Sequence, residues 1–139
     1  MTTVFVDTSA WIAIVSRVDS RHEQARAYYR SLMSDTDLVT SDYVLGESIT
    51  FLAYRHRRHE ALELHSMVQA ATHINALTME WITPSVHDNA WDIFQRYDDQ
   101  IFSYCDCTSI AICSSRSVDF VFGFDRDFEV AGFELRPRP

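Results

Sequence analysis

Short apolar runs alternate along this sequence with longer segments whose apolar residues recur at helical spacing. The apolar runs predict β-strands at residues 3–6, 38–40, 79–82, 120–124 and 133–135. The segments between them predict helices at residues 9–15, 21–33, 42–57, 60–74, 84–97 and 106–115. Strands separated by helices of about ten or more residues favour right-handed crossovers and a mostly parallel sheet with helices on both faces. We therefore expect a single α/β domain spanning residues 1–139.

The composition fits one folded domain without a membrane span. The 139 residues are 47% hydrophobic, which is enough to fill a core, and three glycines and three prolines leave little room for a flexible linker. We find neither a signal-peptide pattern nor an apolar window of roughly 18 residues, so we expect a cytoplasmic protein. Cys105, Cys107 and Cys113 are odd in number and crowded together, and we expect reduced, mostly buried thiols.

The charged residues exclude several classes of function. The net charge is -8, and all twelve basic residues are arginine. An acidic surface repels nucleic acid, so a polyanionic substrate would need a local arginine patch, metal ions or a partner protein. The absence of lysine excludes Schiff-base chemistry and the P-loop phosphate site. The basic segment RHRRH at 55–59 either follows a helix C-terminus, where the helix dipole favours cations, or contacts phosphate.

Two aspartates directly follow predicted strands. Asp7 ends the first apolar run, and Asp125 follows the run at 120–124. Ligands of such folds bind beyond the carboxyl ends of the parallel strands, so we expect both side chains on the same rim of the sheet. Asp7 would also fit a helix N-cap, and Asp125 a turn. Asp127 could share or take over the role of Asp125, although we favour a supporting or solvated position for it.

Two further acids lie on predicted helices. Glu47 is three residues after Val44 and four before Phe51, on the stripe that we expect to be buried. Asp106 opens a predicted helix, at its positive end, and points towards the core. The alternatives are a buried ion pair with an arginine for Glu47 and a plain N-cap for Asp106. Asp42 is expected to cap the helix that carries Glu47.

Four carboxylates in one place would repel one another unless a cation neutralised them. Ligand sets made only of oxygen suit Mg²⁺ or Mn²⁺ better than zinc. An ion held in this way lowers the pKa of a bound water and stabilises charge at phosphorus, which is the general scheme of metal-dependent phosphodiester hydrolysis.

Four segments around these acids resemble the acidic blocks of PIN-domain ribonucleases, in the VapC-like toxin branch of type II toxin–antitoxin modules. The segments are VFVDTSAWIAI, TSDYVLGES, DCTSIAI and FGFDRDFEVAGFELRP. The resemblance implies a three-layer α/β/α domain with a central, mostly parallel sheet of four or five strands. It also implies a catalytic pocket formed by Asp7, Glu47, Asp106 and Asp125, in which Asp7 and Asp106 are the metal ligands.

The same resemblance implies a function and partners. It implies Mg²⁺-dependent cleavage of RNA, with Mn²⁺ as a substitute, a homodimer, and inhibition by a cognate antitoxin. Ser9 would orient a carboxylate, with Thr8 and Thr108 as weaker candidates for that role. The alternatives are a catalytically inactive RNA-binding or scaffold module, or a PIN nuclease in RNA processing or acting on structured DNA. A haloacid-dehalogenase-type phosphatase would need an aspartate in place of Ser9, and a lysine.

Overall fold

The computed structural model describes residues 1–32 and 34–139 and contains a five-stranded sheet. The strands are β1 (Thr2–Val6), β2 (Thr36–Ser41), β3 (Thr78–Glu80), β4 (Phe120–Phe122) and β5 (Leu135–Arg136). Their order across the sheet is β3-β2-β1-β4-β5, and every neighbouring pair is parallel. The predicted parallel sheet of four or five strands is therefore confirmed.

Helices connect the strands and cover the sheet. They are α1 (Thr8–Val15), α2 (His22–Leu32), α3 (Asp42–Tyr54), α4 (Arg58–His73), α5 (Pro84–Arg96), α6 (Tyr104–Ser115) and the short α7 (Asp127–Val130). The fold is the predicted three-layer α/β/α arrangement. Within the described residues, no helix is long and apolar enough to span a membrane.

Polar residues just before α3 and α5 fix where these two helices begin. The side chain of Ser41 accepts a hydrogen bond from the Val44 amide at 3.1 Å, so Ser41 is the cap that we had assigned to Asp42. Asp42 instead accepts a bond from the Ile82 amide at 2.9 Å, which ties α3 to the segment after β3. Pro84 is the first residue of α5, as predicted, and the Thr83 hydroxyl before it accepts a hydrogen bond from the Val86 amide at 3.3 Å. Each cap satisfies an amide that the first turn leaves unpaired.

Several predicted boundaries differ from the structure. The strand at 120–124 ends at residue 122, the strand at 79–82 shifts to 78–80, and the terminal strand shifts to 135–136. The helix predicted to reach residue 57 ends at Tyr54, because the chain turns there with a positive φ at His56. Helix α7 was not predicted, since four residues are too few to show a helical period. Met33, the predicted end of α2, lies outside the described residues.

A buried central strand holds the start of the site. Val4, Phe5 and Val6 are completely buried, as expected for a parallel strand covered on both faces. Next to this strand the Nε1 of Trp11 donates to the Thr40 hydroxyl at 3.0 Å, and that hydroxyl donates to the Val6 carbonyl at 2.9 Å. Strand β1, strand β2 and helix α1 are thereby joined at the point where β1 ends.

The strand order creates a crevice at the end of β1. The chain moves outward from β1 to β2 and β3 and then crosses back to place β4 on the other side of β1. Connections on the two sides of β1 therefore diverge, and ligands of open α/β sheets bind at such a switch point. Asp7 and Asp125 follow the two strands that border this crevice.

Candidate active site

Asp7 is a buried carboxyl at the end of the central strand. Its side chain is only 4% exposed. Burial raises its pKa from 3.8 to about 7, with smaller increases from the charges of Asp106 and Asp125, although the Thr8 amide and Ser9 hydroxyl lower it. Asp7 occupies the N-cap position of α1, but its side chain makes no capping bond there. The N-cap interpretation therefore does not account for its burial.

Ser9 and Gly123 hold Asp7 in place. The Ser9 hydroxyl donates to Asp7 Oδ2 at 3.1 Å and accepts from the Phe124 amide at 2.9 Å, so the predicted contact of Ser9 with a carboxylate is present. A Cβ atom at Gly123 would lie 3.0 Å from Asp7 Cβ and 3.2 Å from Ser9 Oγ. Only glycine permits this close approach of β4 to the site. A glycine inside the apolar run at 120–124 is the sequence feature that could have indicated this close approach.

Asp106 is held by a capping box at the start of α6. Ser103 Oγ accepts from the Asp106 amide at 3.0 Å, and Asp106 Oδ2 accepts from the Ser103 amide at 3.1 Å. The helix therefore begins at Tyr104 rather than at Asp106, and the cap is Ser103. Burial raises the Asp106 pKa to about 6, with further contributions from the charges of Asp125 and Asp127.

The loop after β4 brings two more carboxylates to the crevice. Asp125 accepts a bond from the Asp127 amide at 2.9 Å, which forms a local turn. One carboxylate oxygen from each of Asp106, Asp125 and Asp127 lies within 4.8 Å of the others. Burial and the charge of Asp125 raise the pKa of Asp127. Asp127 is thus part of the carboxylate cluster, whereas the sequence favoured a supporting or solvated position for it.

Glu47 flanks the cluster and is exposed, contrary to the predicted buried position. The buried residues of α3 are Val44, Ser48 and Leu52. Ser48 takes a buried position because its hydroxyl donates to the Val44 carbonyl at 2.7 Å, which the apolar pattern could not reveal. The Cys105 thiol lies close to several of these acids, because its pKa is raised by burial first, then by Glu47, and further by Asp7 and Asp106. Among the residues described, no arginine forms an ion pair with Glu47.

Within the described residues, the hydroxyls of the weaker candidates Thr8 and Thr108 make no hydrogen bond to the carboxylates. The Thr108 hydroxyl donates to the Cys105 carbonyl at 2.7 Å, within its own helix. The Thr8 hydroxyl is buried and finds no hydrogen-bond partner among the described residues. The three cysteines are free, and two of them are buried, as predicted.

The basic segment RHRRH lies far from the acids. Helix α3 begins at the rim and runs away from it for 13 residues, so its far end is about 20 Å from the rim. There Arg55 stacks over the Phe51 ring at 3.5 Å, and Arg57 forms a salt bridge with the buried Glu60. These arginines stabilise the turn between α3 and α4, and a phosphate at the rim is beyond their reach.

The donor set at the rim suits a divalent cation. It consists of carboxylate oxygens from separate elements, and burial together with mutual repulsion holds the pKa values of Asp7 and Asp106 well above 3.8. A hard cation would offset both the burial of these carboxylates and their mutual repulsion, because it neutralises their charges. The cluster is therefore compatible with divalent metal binding.

Known proteins resemble the chain over almost its whole length. A family model of the PIN domain matches residues 4–134. The chain is 33% identical over 135 residues to the 23S rRNA-specific endonuclease VapC20 of Mycobacterium tuberculosis, covering 96% of this chain and 98% of that protein.

Solved structures show the same fold. The crystal structure of VapC20 from Mycobacterium tuberculosis, described as a Sarcin-Ricin loop cleaving toxin, matches with a TM-score of 0.83 at 32% identity, covering 96% of this chain and 99% of that one. Rickettsia felis VapBC2 bound to a promoter DNA fragment matches with a TM-score of 0.69 at 8% identity, covering 97% and 98%. This chain belongs to the PIN-domain family, among the relatives of the VapC endonucleases.

Proposed function

We propose that this chain is a Mg²⁺-dependent endoribonuclease and the toxic component of a type II toxin–antitoxin module. The observation that carries the proposal is the set of carboxylate oxygens of Asp106, Asp125 and Asp127 within 4.8 Å, beside the buried Asp7. The 33% identity to a relative named as a 23S rRNA-specific endonuclease supports the same assignment.

In the proposed site, Asp7 and Asp106 are the direct metal ligands, and Asp125 and Glu47 complete the catalytic set. The Ser9 hydroxyl holds the Asp7 carboxylate by a hydrogen bond, and the capping box holds the carboxylate of Asp106. A bound Mg²⁺ or Mn²⁺ would supply a water of lowered pKa and stabilise charge at phosphorus. The location of Asp127 within the cluster supports a share in the role of Asp125.

The proposed substrate is RNA with an accessible single-stranded or loop region. The relative VapC20 is named for 23S rRNA and described as cleaving the Sarcin-Ricin loop, so a hairpin carrying that loop is the first substrate to test. Proteins read RNA loops largely by shape and unstacked bases around the reactive site. A ribosomal substrate would also agree with a cytoplasmic location.

The proposed protein partners are a cognate antitoxin and a second copy of the chain. The structures of Rickettsia felis VapBC2 and of FitAB each contain a chain with the same fold, and both names denote a pair of proteins bound to DNA.

The proposed homodimer would use the apolar side chains of α5. Trp91 and Phe94 stack there at 5.4 Å, and both are nearly half exposed. Light scattering should give twice the mass of one chain, and a monomer at every concentration would contradict the dimer.

The test of the nuclease assignment is cleavage of labelled RNA by the purified chain with Mg²⁺ or Mn²⁺. We expect Asp7→Asn to abolish cleavage, because it removes a charged ligand while keeping the size of the side chain. Asp35→Asn is the matched control, since Asp35 is an exposed acid that precedes β2, at the opposite end of the sheet. Equal cleavage by Asp7→Asn, or by the unaltered chain in excess EDTA, would disprove the assignment.

A further inference from the structure

A cavity of about 560 Å³ lies beside the acidic cluster, between the start of α2 and the segment after β4. Three arginines line it, namely Arg21, Arg126 and Arg138. We call this space the arginine cavity. Its volume falls within the range of roughly 300–1,000 Å³ that is typical of small-ligand sites.

The arginine cavity begins where the acidic cluster ends. Gly123 and Phe124 line it, and the same two residues contact the site: a Cβ at Gly123 would meet Asp7, and the Phe124 amide donates to Ser9. Arg126 stands in the chain between the two clustered acids of the loop after β4. A ligand in the cavity would therefore adjoin any group held by the carboxylates.

Arg21 is the most available of the three cations. Its guanidinium lies over the Phe124 ring, 4.7 Å from the centroid, which holds it in the cavity without using its hydrogen-bond donors. Across the described ranges 1–32 and 34–139, no carboxylate lies within salt-bridge distance of that guanidinium. Its donors are free to bind an anion.

The two acids that line the cavity, Glu129 and Glu134, neutralise its three arginines only in part. Arg126 is 91% exposed and 3.7 Å from Glu129, a separation and exposure at which an ion pair contributes little. Glu134 accepts from Arg138 and also from Arg136 at 2.7 Å, so one carboxylate is shared by two guanidinium groups. The side chains that line the cavity thus carry one more positive than negative charge, in a chain whose net charge is -8.

We propose that the arginine cavity binds the sugar–phosphate backbone of RNA next to the scissile bond, with Arg21 as the principal phosphate contact. The inference rests on the proposed function for the identity of its ligand. An acidic chain needs local cations beside its carboxylate cluster to hold a polyanion. The segment RHRRH lies at the other end of α3, so these arginines are the ones placed to do so.

The test measures RNA binding separately from cleavage. Fluorescence anisotropy of a labelled single-stranded RNA is followed over a range of salt concentrations in EDTA, with Asp7→Asn present in every chain to prevent cleavage. Each lost phosphate contact lowers the slope of log affinity against log salt by about 0.7 for a single strand. We expect that decrease, with weaker binding, for Arg21→Ala and for Arg126→Ala.

Arg96→Ala is the matched control for loss of one positive charge. Arg96 is exposed on α5 and lies with Ser114 and Ser115 at the far end of α6 from Asp106. We expect its slope to be unchanged. Circular dichroism checks that each variant is folded, and Arg21→Lys, which keeps the charge, should recover part of the slope.

Three results would overturn the inference: slopes for Arg21→Ala and Arg126→Ala equal to that of the parent, equal decreases in all three variants including Arg96→Ala, or no RNA binding by the parent chain. Cleavage is scored separately with the unaltered chain and Mg²⁺. Absence of cleavage together with Arg21-dependent RNA binding would refute the nuclease assignment and support the arginine cavity as an RNA-binding site. Cleavage together with unchanged slopes would support the nuclease assignment and refute RNA binding by the cavity.

Discussion

Asp7→Asn should make the metal-free protein more stable while abolishing its activity. Moving the carboxyl pKa from 3.8 to about 7 means that the folded chain holds the Asp7 proton much more tightly than the unfolded chain does. Each tenfold change in the acid constant is about 1.4 kcal/mol, so ionised Asp7 lowers the free energy of unfolding by about 4 kcal/mol. Asparagine has nearly the same size and carries no charge to bury.

The sign of the effect sets its pH dependence. A carboxyl with a raised folded-state pKa costs nothing below the unfolded value of 3.8, costs more as the pH rises, and reaches its full cost above about 7. The stability of Asp7→Asn minus that of the unaltered chain should therefore rise from near zero at pH 4 to about 4 kcal/mol at pH 8. Mg²⁺ at 100 times its dissociation constant should return about 2.7 kcal/mol to the unaltered chain alone.

Urea denaturation in EDTA, repeated at several pH values and then with Mg²⁺, measures both effects. Asp35→Asn removes an exposed charge from the other end of the sheet. It should change neither the pH dependence of the free energy of unfolding nor its increase with Mg²⁺ appreciably. If Asp7→Asn were less stable than the unaltered chain in EDTA at pH 8, the native contacts of ionised Asp7 would outweigh its desolvation. The cost assigned to its burial would then be wrong.

Three further variants test the surroundings of the site and of the helix turn. Gly123→Ala would put a Cβ 3.0 Å from Asp7 Cβ, so urea denaturation should show a loss of about 1–3 kcal/mol together with weaker stabilisation by Mg²⁺. Ser9→Ala removes the hydroxyl that orients Asp7, and kcat on RNA should fall by roughly 10- to 100-fold with the fold intact. Glu60→Gln breaks the buried contact with Arg57, which lowers the Glu60 pKa from 4.5 to about 2. At pH 7 the free energy of unfolding of this variant should be lower by about 1–3 kcal/mol. The difference should shrink as the pH falls from 4.5 towards 2, because Glu60 of the unaltered chain then takes up a proton as well. Cleavage of RNA should stay unchanged.

The sheet could be predicted because its central strands are buried on both faces. Val4, Phe5 and Val6 form an unbroken apolar run, and the run at 120–124 is equally clear. Asp7 and Asp125 each come directly after one of these runs. The sequence alone therefore predicts that both acids lie at the carboxyl ends of their strands, whichever strands lie beside them. The location of both acids beside one crevice then follows from parallel pairing alone.

The surroundings of the acids depend on contacts that one-dimensional patterns do not contain. Ser48, rather than Glu47, takes the buried position of α3 because its hydroxyl is satisfied by its own helix. The capping box of Asp106 places the helix start two residues earlier than the apolar pattern suggested. Arg21 and Arg126 are more than 100 positions apart and meet only because β4 pairs with β1.

The crossover that places β4 beside β1 also controls when activity can appear. Asp7 and Glu47 are made early, but Asp125 enters the crevice only when β4 has docked, after about nine-tenths of the chain has been synthesised. A growing chain on the ribosome consequently has no complete acidic cluster. The order of the acids along the chain thus makes assembly of this nuclease site one of the last steps of folding, because it waits for β4 to pair with β1.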